Sequence, residues 1–252
     1  MSDPLLDDLG VPVGPRGSFT RVVSLVPSLT EAVAVTLPGL LVGATDYCTH
    51  PSTLDVARVG GSKYPTVAAV LDLAPDLVIA NSEENRPEEV TALREAGIAV
   101  WVTEAPASVP AGLTSVRRLL AGLGAKTPDW LTQADEVWAE VEPVWATAVV
   151  PVWRKPWVVV GRDTFAGDVL HRLGVANAYG NHADRYPRPS LAELNATAAD
   201  LVVLPDEPYE FTATDGPEAF PDKRSALVVG RYLTWYGPSL VEARASLRAA
   251  LT

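Results

Sequence analysis

The sequence predicts an α/β protein with two lobes, each built on a parallel β-sheet. Short apolar runs that suit strands buried on both faces alternate along the chain with segments of helical spacing. One such run, at residues 77–80, is followed by the polar residues 83–86. A similar run at 201–204 comes 124 positions later, and Asp76 ahead of the first run corresponds to Asp200 ahead of the second. We therefore predict two similar units, each ending a buried strand in an acidic loop.

The first unit is predicted to alternate strands with helices. Pro87 and Gly97 mark the two ends of one helix, since proline favours the first turn and glycine the position after the last turn. Ser28 with Glu31 fits a capping box at the start of an earlier helix. The predicted strands are 22–26, 40–44, 77–80 and 98–102, and the predicted helices are 28–36, 67–73, 87–96 and 109–123.

A connecting helix is predicted between the two units. Trp130, Ala134 and Val137 recur at helical spacing, and Pro143 should end or kink the helix, although residues 144–150 could continue it. The second unit then has predicted strands at 157–160, 201–204 and 226–229 and helices at 165–173, 190–196 and from 239. The predicted division is an N-terminal lobe at 18–126, a connecting helix at 127–150 and a C-terminal lobe at 151–252, preceded by an extended arm at 1–17.

The charge and the hydropathy pattern exclude several classes of partner. The chain of 252 residues has a formal net charge of −11 and no basic block, so a nucleic-acid backbone would be repelled. No apolar run approaches the roughly 18 residues that a membrane span needs. The N-terminus lacks the basic start and apolar core of a secretory signal, and Cys48, the single cysteine, lies too far along the chain for lipid attachment. We therefore expect a cytoplasmic protein that binds neither nucleic acid nor membranes.

Motifs for catalysis and for metal binding are weak. The sequence has no Gly-x-Ser-x-Gly turn, no Cys-x-x-Cys and no His-Glu-x-x-His, and its three histidines are His50, His171 and His182. Cys48 and His50 could in principle form a thiolate pair, but a buried structural cysteine is the favoured interpretation. His50 and His182 could hold a metal only if the two halves of the chain bring them together.

Aromatic residues fall at predicted loop positions, at or just past the ends of strands. Flat rings with polar tips suit a cleft that grips a large, partly apolar ligand, and arginines can pair with carboxylates on such a ligand. The alternative is that the rings only cap the cores of the lobes. The aromatic residues are Tyr47, Tyr64, Tyr186, Tyr209, Phe211, Trp235 and Tyr236, and the arginines are Arg86, Arg162 and Arg185.

Five segments in a fixed order carry a family resemblance over roughly residues 20–250. They are residues 21–31, 59–61, 73–78, 161–165 and 173–177. Together they resemble the solute-binding proteins of ABC importers that have a helical backbone, the receptors for cobalamin, haem and iron-siderophores. The resemblance implies a periplasmic-binding-protein fold of two Rossmann-like lobes joined by one long helix, with the ligand between the lobes. Segments 48–51, 83–86, 207–209 and 234–237 resemble a leaderless branch of this family.

Two departures from the family pattern bear on partners and on the ligand. Importer-linked members carry one outward glutamate per lobe that docks on permease arginines, and the alignment places Ala68 and Ala192 at those positions. Loss of those charges removes a main electrostatic reason to recognise a transporter, so docking on an ABC permease is not expected. A tryptophan that lines the cobalamin pocket in the family falls near Ser62, whereas Tyr47 matches an aromatic residue of that pocket.

We therefore predict a non-catalytic binding protein that holds a metal-bearing macrocycle or chelate, of corrinoid, haem or iron-siderophore type. No cofactor is required, and His50 is a candidate axial ligand to the metal. The replacement Trp235→Ala is expected to weaken ligand binding without unfolding the protein. The predicted ligand contacts are Tyr47, Tyr64, Glu83, Glu84, Arg86, Arg162, Glu207, Tyr209, Trp235 and Tyr236.

Two alternatives stay open at this point. Glu83, Glu84 and Glu207 could be the acid–base groups of a small-molecule enzyme, since acidic loops that face each other can raise a carboxyl pKa towards neutrality. The other alternative is an interaction module, in which the cleft is filled by packed aromatic side chains.

Overall fold

The computed structural model describes residues 5–14 and 19–252 and divides into two compact units. Unit 1 contains the described residues up to Ala105, Leu113–Thr132 and Tyr236–Pro238. Unit 2 contains Pro106–Gly112, Gln133–Trp235 and Ser239–Thr252. Each unit has its own parallel sheet, which confirms the predicted fold class. The units differ from the predicted division at 126 and 151 because each takes short segments from elsewhere in the chain.

The N-terminal residues form a hairpin on unit 1 rather than an extended arm. Strands β1 (Leu5–Leu6) and β2 (Pro12–Gly14) pair antiparallel. The buried Asp7 carboxylate between them pairs with Arg94 at 3.1 Å and accepts a hydrogen bond from Val102 N at 3.3 Å. These bonds attach the hairpin to the rest of unit 1, so the predicted lobe start at residue 18 is too late. Residues 1–4 and 15–17 of the predicted arm lie outside the described residues.

Unit 1 contains a five-stranded parallel sheet in the order β5-β4-β3-β6-β7. Its strands are β3 (Val22–Ser24), β4 (Leu41–Ala44), β5 (Ala57–Arg58), β6 (Leu77–Asn81) and β7 (Ala99–Thr103). Its helices are α1 (Pro27–Thr36), α2 (Val67–Asp72), α3 (Pro87–Glu95) and most of α4 (Val109–Gly122). All residues of β6 are buried, which is typical of a strand covered on both faces.

Two helices of unit 1 begin at prolines. Helix α3 starts at Pro87, and Gly97 follows its end in the left-handed conformation at φ 83°, so the predicted limits of this helix are confirmed. Helix α1 starts at Pro27 without a side-chain cap. The predicted capping box of Ser28 and Glu31 is therefore wrong, because both residues lie inside the helix and are buried there.

The connecting helix is shorter than predicted. Helix α5 covers Asp129–Val137, and the chain is irregular after it until β8 (Ala146–Val149). Pro143 cannot continue a helix, and the β-branched residues that follow it favour a strand, which pairs with a strand of the unit 2 sheet. The prediction of one helix over 127–150 is therefore wrong in its length.

Unit 2 contains a four-stranded parallel sheet in the order β11-β8-β12-β13 and, after β8, an antiparallel hairpin. The predicted strand at 157–160 belongs to this hairpin rather than to the parallel sheet. The hairpin is β9 (Pro151–Trp153) with β10 (Val158–Val159), and the remaining strands are β11 (Val175–Asn177), β12 (Leu201–Pro205) and β13 (Arg224–Val228). The helices are α6 (Phe165–Arg172), α7 (Leu191–Ala196), α8 (Gly230–Thr234) and α9 (Leu240–Leu251).

The predicted internal repeat is visible in both the strands and the helices. Strands β6 and β12 begin 124 residues apart, and so do α2 and α7 ahead of them. The order β4-β3-β6-β7 of unit 1 corresponds to β11-β8-β12-β13 of unit 2. Asp76 accepts hydrogen bonds from Thr20 N (2.7 Å) and Arg21 N (3.0 Å) ahead of β3, and Asp200 accepts one from Thr147 N (2.9 Å) in β8. The matching aspartates thus join matching pairs of strands at their amino ends.

Candidate functional site

The loops at the carboxyl ends of the unit 1 strands carry half of the predicted ligand contacts. The loop after β4 lies beside the loop ahead of α2, since Asp46 N donates to Gly60 O at 2.9 Å. The loop after β6 joins them through Asn85, whose side-chain Nδ2 donates to Ser62 O at 2.8 Å. In open α/β sheets, ligands bind outside this edge of the sheet. Unit 1 therefore presents three connected loops where a ligand site is expected.

Two tyrosines and an arginine form an exposed surface on these loops. Tyr47 and Tyr64 are 66% and 68% exposed, which leaves both rings open to a ligand. The Arg86 guanidinium lies 5.0 Å from the centre of the Tyr64 ring, in cation–π geometry. Gly61 lies against the other ring, because a Cβ placed there would be 3.6 Å from Tyr47 Cε2. We call Tyr47, Gly61, Tyr64 and Arg86 the tyrosine–arginine surface.

Two buried asparagines hold the turn that follows β6. Asn85 Oδ1 accepts a hydrogen bond from Asn81 N at 2.7 Å, while its Nδ2 is bonded to Ser62 O. Asn81 Oδ1 accepts the backbone N–H groups of Glu83 (2.9 Å) and Glu84 (3.2 Å), as asparagine often does in turns. The sequence-based prediction missed both asparagines. The available signal was a pair of amides four residues apart at the end of a buried strand.

Tyr236 belongs to this hydrogen-bond network and is closed to solvent. Its side chain is 3% exposed, and its hydroxyl accepts a hydrogen bond from Asn81 Nδ2 at 3.1 Å. Burial, with the nearby charge of Glu84, raises the pKa of the Tyr236 phenol above its usual range. Ligand contact by Tyr236 stays a prediction, but the ring has a structural role in unit 1.

Cys48 and His50 have separate partners. The buried Cys48 thiol accepts a hydrogen bond from Thr30 Oγ1 at 3.0 Å, and Thr45 Oγ1 lies 3.2 Å from the same sulfur. Burial raises the pKa of the Cys48 thiol, which disfavours a reactive thiolate. The half-buried His50 forms a hydrogen bond with Thr49 Oγ1 through Nδ1 at 3.0 Å. The structural role of Cys48 is therefore confirmed.

His50 was predicted as a candidate metal ligand, and a site that joins His50 with His182 was left open. Within residues 5–14 and 19–252, no group of three or more His, Cys, Asp or Glu side chains could hold a metal ion. The role of His50 as an axial ligand to a metal that a chelate brings with it stays a prediction.

In unit 2, Glu207 follows β12 as Glu83 follows β6, but the Glu207 carboxyl is half-buried. Burial and the charge of Asp206 raise the pKa of Glu207, while hydrogen bonds with Trp235 and Thr234 act in the opposite direction. The Trp235 side chain is 6% exposed. Its replacement by alanine would leave a cavity and cost about 3–5 kcal/mol. The expectation that Trp235→Ala leaves the fold intact does not agree with this burial.

Tyr209 packs into an aromatic cluster of unit 2. Its ring centre lies 4.7 Å from that of Phe211 and 5.7 Å from that of Trp153. Its hydroxyl donates to Asp215 at 2.6 Å, and this hydrogen bond raises the pKa of the Tyr209 phenol. The ring is therefore held by its own unit, unlike the open rings of the tyrosine–arginine surface.

The predicted contacts thus differ in how open they are. In unit 1, Tyr47, Tyr64 and Glu83 are exposed, and Arg86 and Glu84 are half-buried. Among the predicted contacts in unit 2, Arg162 is exposed and pairs with its neighbour Asp163 at 3.5 Å, whereas Glu207, Tyr209 and Trp235 are at least half-buried. The tyrosine–arginine surface is therefore the best-defined candidate site on either unit.

The structure is thus a two-unit α/β protein in which each unit has its own parallel sheet. The sequence matches the periplasmic binding protein family over residues 22–222, most of its length, and the chain belongs to that family. A vitamin B12-binding protein of Vibrio cholerae is 35% identical over 83 residues. That match spans 32% of this chain and 30% of the length of the Vibrio protein.

Solved structures with a similar fold cover nearly the whole chain. The periplasmic heme-binding protein RhuT from Roseiflexus sp. RS-1 has a TM-score of 0.75 and 21% identity over 92% of this chain and 99% of its own. The periplasmic vitamin B12 binding protein BtuF of Vibrio cholerae has a TM-score of 0.69 and 18% identity over 92% of this chain and 96% of its own. The Ceue protein of Helicobacter pylori with Ni(II) bound has a TM-score of 0.79 and 14% identity over 99% of this chain and 88% of its own. At these identities the likeness shows the fold.

Proposed function

We propose that this protein binds a metal-bearing macrocycle or chelate, of corrinoid, haem or iron-siderophore type, without catalysing a reaction on it. The observation that carries the proposal is the tyrosine–arginine surface at the carboxyl ends of the unit 1 strands. Two open phenol rings can stack on a flat, partly apolar ligand, and each aromatic contact contributes about 0.5–1.5 kcal/mol beyond the area that it buries. The Arg86 guanidinium beside Tyr64 can pair with a carboxylate at the edge of the same ligand.

The names of related proteins support this ligand class. The relatives of similar sequence or fold include proteins described as binding vitamin B12 or heme and one with Ni(II) bound. These relatives are binding proteins, which supports binding over the acid–base enzyme that Glu83, Glu84 and Glu207 could have indicated. Contact between the ligand and the residues of unit 2, and the axial role of His50, remain part of the proposal. No resident cofactor is needed for such a function.

The proposal does not include delivery to an ABC permease. Ala68 lies exposed on α2 and Ala192 lies exposed on the matching helix α7, so neither position offers a carboxylate to a transporter. A cytoplasmic location remains part of the proposal, although the family is named for the periplasm. In the described part of the chain, no helix combines the length and the apolar character that crossing a membrane requires.

The test is a titration of the purified protein with hemin, cyanocobalamin and ferric enterobactin, followed by absorption spectroscopy and native mass spectrometry. We expect one of these probes to bind in a 1:1 complex, and Tyr64→Ala to weaken that complex about tenfold or more. The control is Trp145→Ala, which removes a 46% exposed ring immediately ahead of β8, at the amino end of a strand. Because Trp145 Nε1 donates to Leu173 O at 2.8 Å, the free energy of unfolding of this variant is measured as well. The proposal is overturned if none of the probes binds, or if Tyr47→Ala and Tyr64→Ala both bind as tightly as the unsubstituted protein.

A further inference from the structure

We propose that Asn85 is a positioning residue. Its side chain holds the loop of Tyr64 beside Arg86, so that the Tyr64 ring and the Arg86 guanidinium present one preorganised surface to the ligand. This inference rests on the proposed function and adds to it a residue that does not touch the ligand. The Asn85 side chain is 4% exposed and lies directly before Arg86 in the chain.

Asn85 connects the loop that carries Tyr64 to the loop after β6, and no strand pairing joins these two loops. Its Nδ2 donates to Ser62 O at 2.8 Å, two residues before Tyr64. The same Nδ2 lies 3.4 Å from Leu25 O, at the end of β3. The Asn85 side chain thus bonds to the loop that carries Tyr64. The next residue in the chain is Arg86, the cation of the cation–π pair.

The Asn85 side chain is itself held by a buried hydrogen-bond network. Its Oδ1 accepts a hydrogen bond from Asn81 N at 2.7 Å, and Asn81 Nδ2 donates to Thr103 Oγ1, Glu104 O and Tyr236 OH, each at 3.1 Å. The buried Tyr236 hydroxyl comes from a segment 155 positions along the chain. Because both ends of the Asn85 amide are fixed in buried surroundings, its hydrogen bond to Ser62 cannot be replaced by water without a local opening.

A fixed position of Tyr64 and Arg86 should raise the affinity for the ligand. A surface that is fixed before binding loses less conformational entropy when the ligand arrives, so a preorganised ring and guanidinium bind more tightly than the same groups on a loose loop. Removal of the Nδ2 donor should therefore weaken ligand binding even though Tyr64 and Arg86 are unchanged.

The test compares Asn85→Asp, Asn85→Ala and the control Asn195→Asp. Asn85→Asp keeps the acceptor for Asn81 N and loses the donor to Ser62 O, and Asn85→Ala loses both without adding a charge. Asn195 is the control for loss of an amide donor at an exposed position, since its Nδ2 also donates to a backbone carbonyl, Ala219 O, at 3.0 Å, in unit 2. Hydrogen exchange is followed at the amide of Asp46, which donates to Gly60 O, and at that of Thr66, which donates to Val59 O. Leu123, which directly follows α4 and whose amide donates to Leu119 O, is the reference amide outside these loops.

We expect exchange at Asp46 and Thr66 to rise about tenfold in both Asn85 variants, with Leu123 unchanged, and the bound probe to dissociate about tenfold more readily. The control should change neither quantity. Unchanged exchange at Asp46 and Thr66 overturns the inference, and so does faster exchange without any loss of affinity. If the unsubstituted protein binds no probe, the proposed function has failed. In that case, faster exchange at Asp46 and Thr66 in the Asn85 variants, together with shifted NMR signals of the Tyr64 ring and Arg86 Nε, still supports the positioning role of Asn85.

Discussion

The two units share one arrangement where their matching strands begin and differ where those strands end. At the amino ends, Asp76 and Asp200 each tie their strand to the neighbouring strand through backbone N–H groups. At the carboxyl ends, buried asparagines shape the turn after β6 and leave tyrosines open, whereas Glu207 and an aromatic cluster fill the space after β12. The two units therefore keep the same kind of hydrogen bond where the matching strands begin, whereas the side chains at the ends of those strands differ.

The packed end of β12 should be the most sensitive point of this comparison. A Cβ added at Gly230 would lie 2.4 Å from Glu207 Cγ and within 2.9 Å of the Glu207 backbone N and O atoms. Gly230→Ala should therefore lower the free energy of unfolding by about 3 kcal/mol, measured by chemical denaturation. The double variant with Glu207→Ala should recover little of this loss, because the clash with the backbone remains.

The open end of β6 provides the contrast. A Cβ at Gly61 meets Tyr47 Cε2 at 3.6 Å, which is an ordinary contact. Gly61→Ala should change the free energy of unfolding by less than about 0.5 kcal/mol. Equal losses for Gly61→Ala and Gly230→Ala would contradict the difference between an open and a packed strand end.

At the starts of the matching strands, loss of either aspartate is expected to lower the free energy of unfolding, by different amounts. Asp76 accepts three hydrogen bonds, from Thr20 N, Thr20 Oγ1 and Arg21 N, whereas Asp200 accepts one, from Thr147 N. Asp76→Ala should lower the free energy of unfolding by about 2 kcal/mol and Asp200→Ala by about 1 kcal/mol, measured by chemical denaturation. A larger loss for Asp200→Ala than for Asp76→Ala would show that the matching bonds do not set the strength of these ties.

The sequence predicted the strands and helices of the fold well, because buried strands and helices that begin at proline have local sequence signals. The run ahead of Glu83 and the start of α3 at Pro87 were confirmed, since each depends on residues close together in the chain. The repeat spacing was confirmed as well, because each copy carries its own local strand signal. The N-terminal hairpin was missed because its anchor, the pairing of Asp7 with Arg94, joins residues far apart in sequence.

The candidate site was predicted less well for the same physical reason. Tyr47 and Tyr64 were recognised as loop residues, and their exposure agrees with a ligand-facing position. Trp235 and Tyr236 were grouped with them, although both are buried, because ring chemistry alone does not show which side of a backbone a ring packs against. The spacing of Asn81 and Asn85 at the end of a buried strand was the one signal available for them, and it did not show their bonds to Ser62 and Tyr236, which only the folded chain forms.

The smallest effect is expected from the charge of Glu207, and it should appear as a change with pH. Burial raises the pKa of the folded-state carboxyl above its ordinary value, so the folded protein binds this proton more readily than the unfolded chain does. The stability that this proton contributes is fully present below the ordinary glutamate pKa and is lost as the pH rises through the raised folded pKa. The free energy of unfolding of the unsubstituted protein, compared with that of Glu207→Gln, should therefore fall as the pH rises across this window.

Glu207→Gln should flatten that part of the pH profile, because the amide keeps an acceptor for Trp235 and has no charge to bury. The control is Glu83→Gln, at the equivalent position after β6, where the side chain is exposed. Parallel profiles for the unsubstituted protein and Glu207→Gln would show that the end of β12 is as open to water as the end of β6. In that case, the contrast between the two strand ends would reduce to the aromatic cluster alone.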